Sequence, residues 1–246
     1  MQKRILYQFP LSLYSEKTRW HLEAKGIDFI CHNMTPGLHI IPAYLLAQQR
    51  TLPIFKDGSI TIGDSTKIAL YVEKNYTQNP IIPHDDEQKK QVLEYEAWFD
   101  ELGDHVRRSC WNLIIDSKNI ANIFFNYEGY SWFQRLVAKC SKPVLRLMVR
   151  YTFKVFPKKV IYSQHYVDQA LCQLEEWLKG NPNNYLVGNT FTLADLTAAS
   201  MLAPIIGPEN SPWSDHHLNG ENKQLRETVR NRTAGLWVLR IYREHR

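Results

Sequence analysis

Apolar positions along the chain follow two regimes. Up to residue 76 they come in short runs separated by turn residues; beyond residue 86 they recur every three to four positions over long stretches. The first pattern predicts strands alternating with helices, and the second predicts helices alone. Ile5 to Phe9 is a short apolar run closed by Pro10 and predicts a strand. Ser12 to Lys25 predicts a helix: Ser12 or Ser15 can cap it, Glu16 suits its first turn, and Gly26 follows as a stop. Asp28 to His32 predicts a second strand, and Pro42 to Gln49 a short helix. Leu52 to Phe55 and Ile60 to Ile62 then flank Lys56-Asp57-Gly58-Ser59, whose Asp-Gly pair is a strong hairpin signal. Ser65 to Asn75 closes the series as a helix with Ile68, Ala69 and Val72 on one stripe, so the order is β-α-β-α-β-β-α.

Thr77 to Asp86, rich in proline and polar residues, reads as a linker. Glu87 to Ile115 carries Val92, Tyr95, Trp98, Phe99, Leu102, Val106, Cys110 and Leu113 at helical spacing, and residues 131–157 and 161–179 repeat the pattern. Asp116 to Tyr130 fits a loop or a short helix equally well. In Phe191-Thr192-Leu193-Ala194-Asp195-Leu196, Thr192 and Asp195 have the spacing of a capping box, and Phe191 and Leu196 that of a hydrophobic staple. The turns that follow, through Pro204, are almost free of charge, which predicts a helix buried at the centre of an all-helical domain. Gly207 to Gly220 reads as a loop, and Lys223 to Arg246 as one closing helix.

Pro53 inside the first hairpin run is at odds with a central strand. A cis Leu52–Pro53 bond just before the strand reconciles the two signals and turns the Leu52 backbone outward. Asp64 or Ser65 caps the next helix, leaving N–H groups and a positive dipole end beside it. Together these groups make a receptor for a peptide-like carboxylate.

Composition narrows the setting. The chain is 44% hydrophobic and 22% charged, ordinary for a globular protein, and no apolar run approaches the length of a membrane span. Met1-Gln2-Lys3-Arg4 starts with positive charge, but polar Gln8 comes too soon for a secretory signal, so a cytoplasmic location is expected. The four cysteines stand alone and the nine histidines show no ligand spacing, so no metal is assigned. Charge is uneven. Arg135, Lys139, Lys142, Arg146, Arg150, Lys154, Lys158 and Lys159 fall in residues 131–160 with no acid, whereas the whole chain is only +5. Such a basic amphipathic segment is a solvated flank of a buried face, a funnel for an anionic ligand, or a contact for an anionic membrane surface. No specific nucleic-acid contact is expected.

Leu52-Pro53, Asp57-Gly58 and Asp64-Ser65 resemble the Val-Pro, Asp-Gly hairpin and Glu-Ser or Gln-Ser of glutathione transferases, with Asp64 one methylene shorter. The Leu186-Val187-Gly188 turn and the capped helix after it are similar to that family's C-terminal domain. The resemblance spans roughly residues 4–76 and 160–204. It implies a thioredoxin-like α/β domain over 1–76, a linker over 77–86 and an all-α domain over 87–246. It also implies glutathione as co-substrate, a small electrophile as second substrate, and a homodimer. Leu52, Pro53, Asp64 and Ser65 are then the glutathione-binding residues. Aligning Lys17-Thr18-Arg19 and Lys25-Gly26-Ile27 with the family's Arg-x-Arg and Lys-Gly-Ile puts Ser12 where omega- and zeta-type proteins carry their reactive Cys or Ser. Ser15 and Tyr14 are the alternatives, with Tyr7 after them. Tyr95, Trp98, His105 and Trp111 are either core or a second-substrate pocket. Besides conjugation, the same scaffold supports zeta-like isomerisation, glutathione-dependent reduction, or a non-catalytic binding or regulatory role; the lack of a cysteine near Ser12 weakens the reductase.

Overall fold

A computed structural model describes residues 3–35, 37–115, 142–213, 215, 218 and 220–246. The undecided stretch 116–130 lies outside the described residues, as do Arg135 and Lys139 of the basic segment. The chain divides into two compact units, the first holding residues up to Pro80 and the second Ile81–Ile115 and Arg146–Arg246.

In the first unit the elements are β1 (Arg4–Gln8), α1 (Leu13–Ala24), β2 (Ile30–Asn33), α2 (Ile40–Ala47), β3 (Ile54–Asp57), β4 (Ile60–Gly63) and α3 (Ser65–Asn75). Their order is the predicted one, with ends shifted by up to two residues. The sheet runs β2-β1-β3-β4; β1 is parallel to β2 and antiparallel to β3, and β3 to β4 is the Asp-Gly hairpin. Period-two alternation sends neighbouring residues to opposite faces. Leu6 and Phe55, paired across β1 and β3, bury against Leu22, Ile68 and Val72 of α1 and α3. Ile54 points the other way, into Met34, Leu52 and Ala43 of α2. The Leu52–Pro53 bond is cis.

The second unit is helical among its described residues: α4 (Asp86–Ile114), α5 (Lys142–Thr152, whose first turn lies outside the unit), α6 (Pro157–Trp177), α7 (Leu193–Ile206), α8 (Gly220–Arg230) and α9 (Thr233–His245). α7 is its buried centre: Leu193, Ala194, Leu196, Ala198, Ala199, Met201 and Ala203 have no exposed surface, and Trp237, Val238 and Ile241 of α9 are equally buried. The Asp195 carboxylate accepts from Thr192 N and Thr192 Oγ1 at 2.8 Å and from Leu186 N at 2.9 Å, so it closes the helix start and the Leu-Val-Gly turn together.

Two expected helices have different bounds. The described part of 131–157 ends at Thr152, where Lys154 takes a left-handed φ of 54° and Val155 N reaches back to Arg150 O, before Pro157 opens α6. Residues 223–246 form two helices instead of one. The break comes at Asn231–Arg232, and a Cβ on Gly235 would lie 2.2 Å from Val229 O, so only glycine lets α9 start against the end of α8. Periodicity alone hid that break, because the apolar stripe continues across it.

Candidate functional site

The sheet register brings three strand ends of the first unit together. Tyr7 pairs with Ile54, and Ile54 pairs with Gly63. The exit of β1, the entry of β3 and the exit of β4 therefore lie side by side at one end of the sheet. The chain leaves β1 toward Ser12, enters β3 through Leu52-Pro53, and leaves β4 directly into Asp64-Ser65.

Ser12 is the N-cap of α1. Its N–H donates to Phe9 O at 3.0 Å, and its Oγ accepts from Ser15 N at 3.3 Å. That cap bond is long for N–H···O, and it uses a lone pair, so the hydroxyl proton is left to donate elsewhere. Ser15 is fully buried, and its hydroxyl has no partner among the described residues; Tyr14 is half-buried. Tyr7 packs edge-on against His32 with ring centroids 5.3 Å apart.

α1 is held in place by buried charge. Arg19 donates to Glu16, to Gln8 and to Pro10 O, the last at 3.0 Å, and so clamps the turn that presents Ser12. Lys17 Nζ donates to Thr66 Oγ1 at 3.2 Å, tying α1 to the first turn of α3. Glu73 of α3 takes His21 Nε2 and Lys25 Nζ, each at 2.8 Å. Burial lowers the His21 pKa against the pull of Glu73, whereas hydrogen bonds from His21 and Lys25 overcome burial and lower that of Glu73.

Asp64, not Ser65, caps α3. Its Oδ1 accepts from Thr66 N and Lys67 N at 3.0 Å, with its own backbone at φ 75°. A non-glycine residue there is held in a left-handed conformation that costs about 1–3 kcal/mol, a kind of strain that clusters at ligand clamps. Ser65 beside it is buried at the helix N-terminus, where the dipole favours an anion.

Gln49 was not singled out by sequence. Its Nε2 donates to Thr51 O at 2.8 Å and to Pro53 O at 3.2 Å, one on each side of Leu52. The same carboxamide lies over Gly63, where an added Cβ would be 2.0 Å from Gln49 Oε1. One side chain thus spans the Leu52 segment and the strand end before Asp64. Nothing in the sequence marks this, since Gly63 reads only as punctuation. His39 supports the same loop: its Nδ1 accepts from Gly37 N, so Nε2 carries the proton and donates to Arg50 O at 3.1 Å.

In the second unit the rings of α4 face α6 and the α5–α6 turn. Tyr95 and Trp98 pack edge-on against Trp177, with centroids 4.7 and 4.9 Å away. His105 stacks on Tyr166 at 4.2 Å and meets Ser163 Oγ at 3.1 Å; burial, with the Arg108 charge, lowers its pKa. Trp111 lies parallel to Phe153 at 5.7 Å. All four remain half-buried.

Residues 6–80 match the family described as glutathione S-transferase, N-terminal domain, and residues 158–206 match glutathione S-transferase, C-terminal domain. Glutathione S-transferase 1 of Dianthus caryophyllus is 28% identical over 213 residues, covering 84% of this chain and 79% of that protein. Glutathione S-transferase TCHQD of Arabidopsis thaliana is 26% identical over 216 residues, covering 82% and 75%. Among solved structures, the beta-etherase LigF of Sphingobium sp. strain SYK-6 superposes with a TM-score of 0.63 at 19% identity, covering 97% of this chain and 99% of that one. The theta class glutathione S-transferase of Xanthomonas axonopodis pv. citri, solved with glutathione bound, gives 0.60 at 14% identity over 97% and 98%. With an α/β unit of this topology followed by a capped, buried helix, and both domain families matched in that order, the chain belongs to the glutathione S-transferase family.

Proposed function

We propose that this protein is a Ser-type glutathione transferase that holds glutathione at the sheet end of its first unit and stabilises its thiolate for attack on a small electrophile. The observation that supports the reading is the Tyr7–Ile54–Gly63 register, which brings to one end of the sheet the strand ends from which the chain runs to Ser12, Leu52 and Asp64-Ser65. Ser65 would bind the γ-glutamyl carboxylate through its amide and hydroxyl, and Asp64 the ammonium through its free carboxylate edge. The Leu52 backbone would pair with the cysteinyl segment, with Pro53 fixing its exit. Ser12 would donate its hydroxyl proton to the sulfur. A free thiol with pKa about 8.5 is only a few per cent ionised at neutral pH, and lowering it by about 2 units takes roughly 2.7 kcal/mol of preference for the anion. A hydroxyl at a helix N-terminus supplies both a hydrogen bond and a favourable dipole. The thiol proton leaves to solvent, the sulfur bonds to the electrophilic carbon, and the leaving group departs with its bonding electrons.

Ser15 and Tyr14 are the rival donors; full burial of Ser15 behind the helix start weighs against it. For the electrophile we propose the half-buried Tyr95, Trp98, His105 and Trp111, and for the assembly a homodimer. A zeta-like isomerase is the second reading, favoured by a zeta class relative in Euphorbia esula that is 26% identical over 197 residues, covering 78% of this chain and 71% of that protein. The test is titration of the thiolate absorbance of bound glutathione in the wild type and in Ser12→Ala. The expected result is near-equal binding with a higher thiol pKa in the variant. An unchanged pKa would move the role to Tyr14 or Ser15, and no binding to the wild type at millimolar glutathione would leave a non-catalytic binding protein.

A further inference from the structure

Between Arg146 and Val167 the chain carries Arg146, Arg150, Lys154, Lys158 and Lys159 and no aspartate or glutamate; Asp168 is the first acid. Arg150, Lys154, Lys158 and Lys159 are exposed together with large apolar side chains, whereas Arg146 is half-buried and donates to Ile115 O at 3.1 Å. On α5, Leu147 and Tyr151 lie one turn apart at 56% and 65% exposure, and on α6 Ile161 and Tyr162 are similarly open, with Phe156 between the helices. Lys158, Ile161, Tyr162 and His165 share one face of α6 by their spacing. Exposed cations and exposed apolar groups therefore alternate around one corner.

That corner is anchored from behind. Val149, Val155 and Val160 are buried, Val155 N closes the turn on Arg150 O at 2.8 Å, and Tyr151 meets Phe156 edge-on. From α4, Arg108 donates to Phe153 O at 3.0 Å and to Ser163 Oγ at 2.6 Å, and Arg107 lies over the Phe153 ring. The outer face is thus presented by a fixed scaffold.

We propose that the α5–α6 corner docks on an anionic lipid surface, its cations against phosphate headgroups and Leu147, Tyr151, Phe156, Ile161 and Tyr162 at the headgroup–acyl boundary. Charge complementarity selects the occupant. A two-fold contact between copies would set this cationic segment, which has no acid between Arg146 and Val167, against itself. Nucleic acid would match the cations, but it gives leucine and isoleucine no apolar phase to enter. Tyrosine, lysine and arginine around an aliphatic centre are what an interfacial helix uses. Among the described residues no helix is long and apolar enough to cross a bilayer, so the mode is lying on the surface.

Sedimentation of the full chain with vesicles tests this. Binding is expected to vesicles of phosphatidylcholine mixed with equal phosphatidylglycerol, not to phosphatidylcholine alone, and molar salt should release it. Lys158→Glu with Lys159→Glu should weaken binding on the order of a hundredfold, and Leu147→Ser with Ile161→Ser roughly tenfold. Arg150→Glu, on the other helix, should act in the same direction if the lysine pair variant misfolds by circular dichroism. Equal binding to both vesicles, or to neither, overturns the proposal. So does retention on a DNA oligonucleotide that Leu147→Ser with Ile161→Ser leaves unchanged, which assigns the face to nucleic-acid phosphates. A shift from dimer to monomer in that apolar variant also overturns it, by assigning the face to a second copy.

Discussion

Helices α1 and α7 are both buried, and they reach burial by opposite means. α7 does it with Leu, Ala, Met and Ile, and its cap is closed by a carboxylate with three donors. α1 buries Glu16, Lys17, Arg19 and His21 along with its apolar residues, and its cap is one long bond to Ser12. Burying polar and charged groups is costly unless each is paired, so the packing of α1 depends on its partners Gln8, Thr66 and Glu73. The centre of the second unit is held by apolar packing and a closed cap, whereas α1 in the first is held by paired buried charge as well.

The largest expected effect follows from that difference. Glu73→Ala would leave the Lys25 and His21 side chains, almost wholly buried, without their shared carboxylate. Breaking a buried pair in this way costs about 3–5 kcal/mol, to be read from denaturant unfolding of the full chain. A loss under 1 kcal/mol would mean that α1 is held by its apolar side alone. Asp195→Ala should come next: it strands Leu186 N and Thr192 N in the core, for about 2–3 kcal/mol. Thr192→Ala should cost about 1 kcal/mol, and the double variant less than the sum, since both act on one cap.

Acid should act on the two regions with opposite sign. His21 has a lowered pKa, so below its ordinary 6.5 the unfolded chain takes up a proton that the folded chain refuses. Stability from this group is present above about pH 6.5 and is lost as pH falls; lowered Glu73 extends the loss below its ordinary 4.5. Asp195 is pushed up to about 6 by burial, against the hydrogen bonds it accepts. The folded chain then keeps a proton that the unfolded chain releases above its ordinary 3.8, so this contribution is present at acid pH and is lost as pH rises toward 6. Unfolding measured at pH 7 and pH 5 separates the groups. Relative to wild type, His21→Phe should gain stability on acidification and Asp195→Asn should lose it.

The same contrast governs what could be read in the sequence. α7 was legible because an uncharged run after Thr-x-x-Asp has one reading, a capped and buried helix. The hairpin, Leu52-Pro53 and the start of α3 were legible because turn chemistry is local. Buried Lys17, Arg19 and His21 were not, because pairing with Thr66, Gln8 and Glu73 depends on residues up to 52 positions away. Nor was the division of α8 from α9, which rests on the approach of Gly235 to Val229 O.

Gln49 gives a smaller effect that separates placement from stability. Gly63→Ala would push the Gln49 carboxamide off Thr51 O and Pro53 O, and a flexible side-chain end can move aside at little cost to the fold. Glutathione affinity should fall about tenfold, near 1.4 kcal/mol, with the unfolding midpoint almost unchanged. Gln49→Ala should do the same, and the double variant no more than either. Additive losses in calorimetry would show that Gln49 does not act through the Leu52 segment.

Among the helix caps the smallest expected change in stability is at Ser12, and it sharpens the comparison most. The Oγ bond to Ser15 N at 3.3 Å is the side-chain cap of α1, so Ser12→Ala should cost about 0.5 kcal/mol, the low end for an N-cap. Thr192→Ala, at a cap where Asp195 closes around the helix start, should cost about twice that. If the hydroxyl serves sulfur rather than the helix, turnover at neutral pH should drop far more than this stability loss would produce. Ser12→Gly then provides the check, since glycine is a tolerated N-cap and should restore most of the 0.5 kcal/mol without restoring the thiolate. Equal activity in Ser12→Gly and wild type would return Ser12 to a purely structural role, making α1 and α7 two caps of one kind.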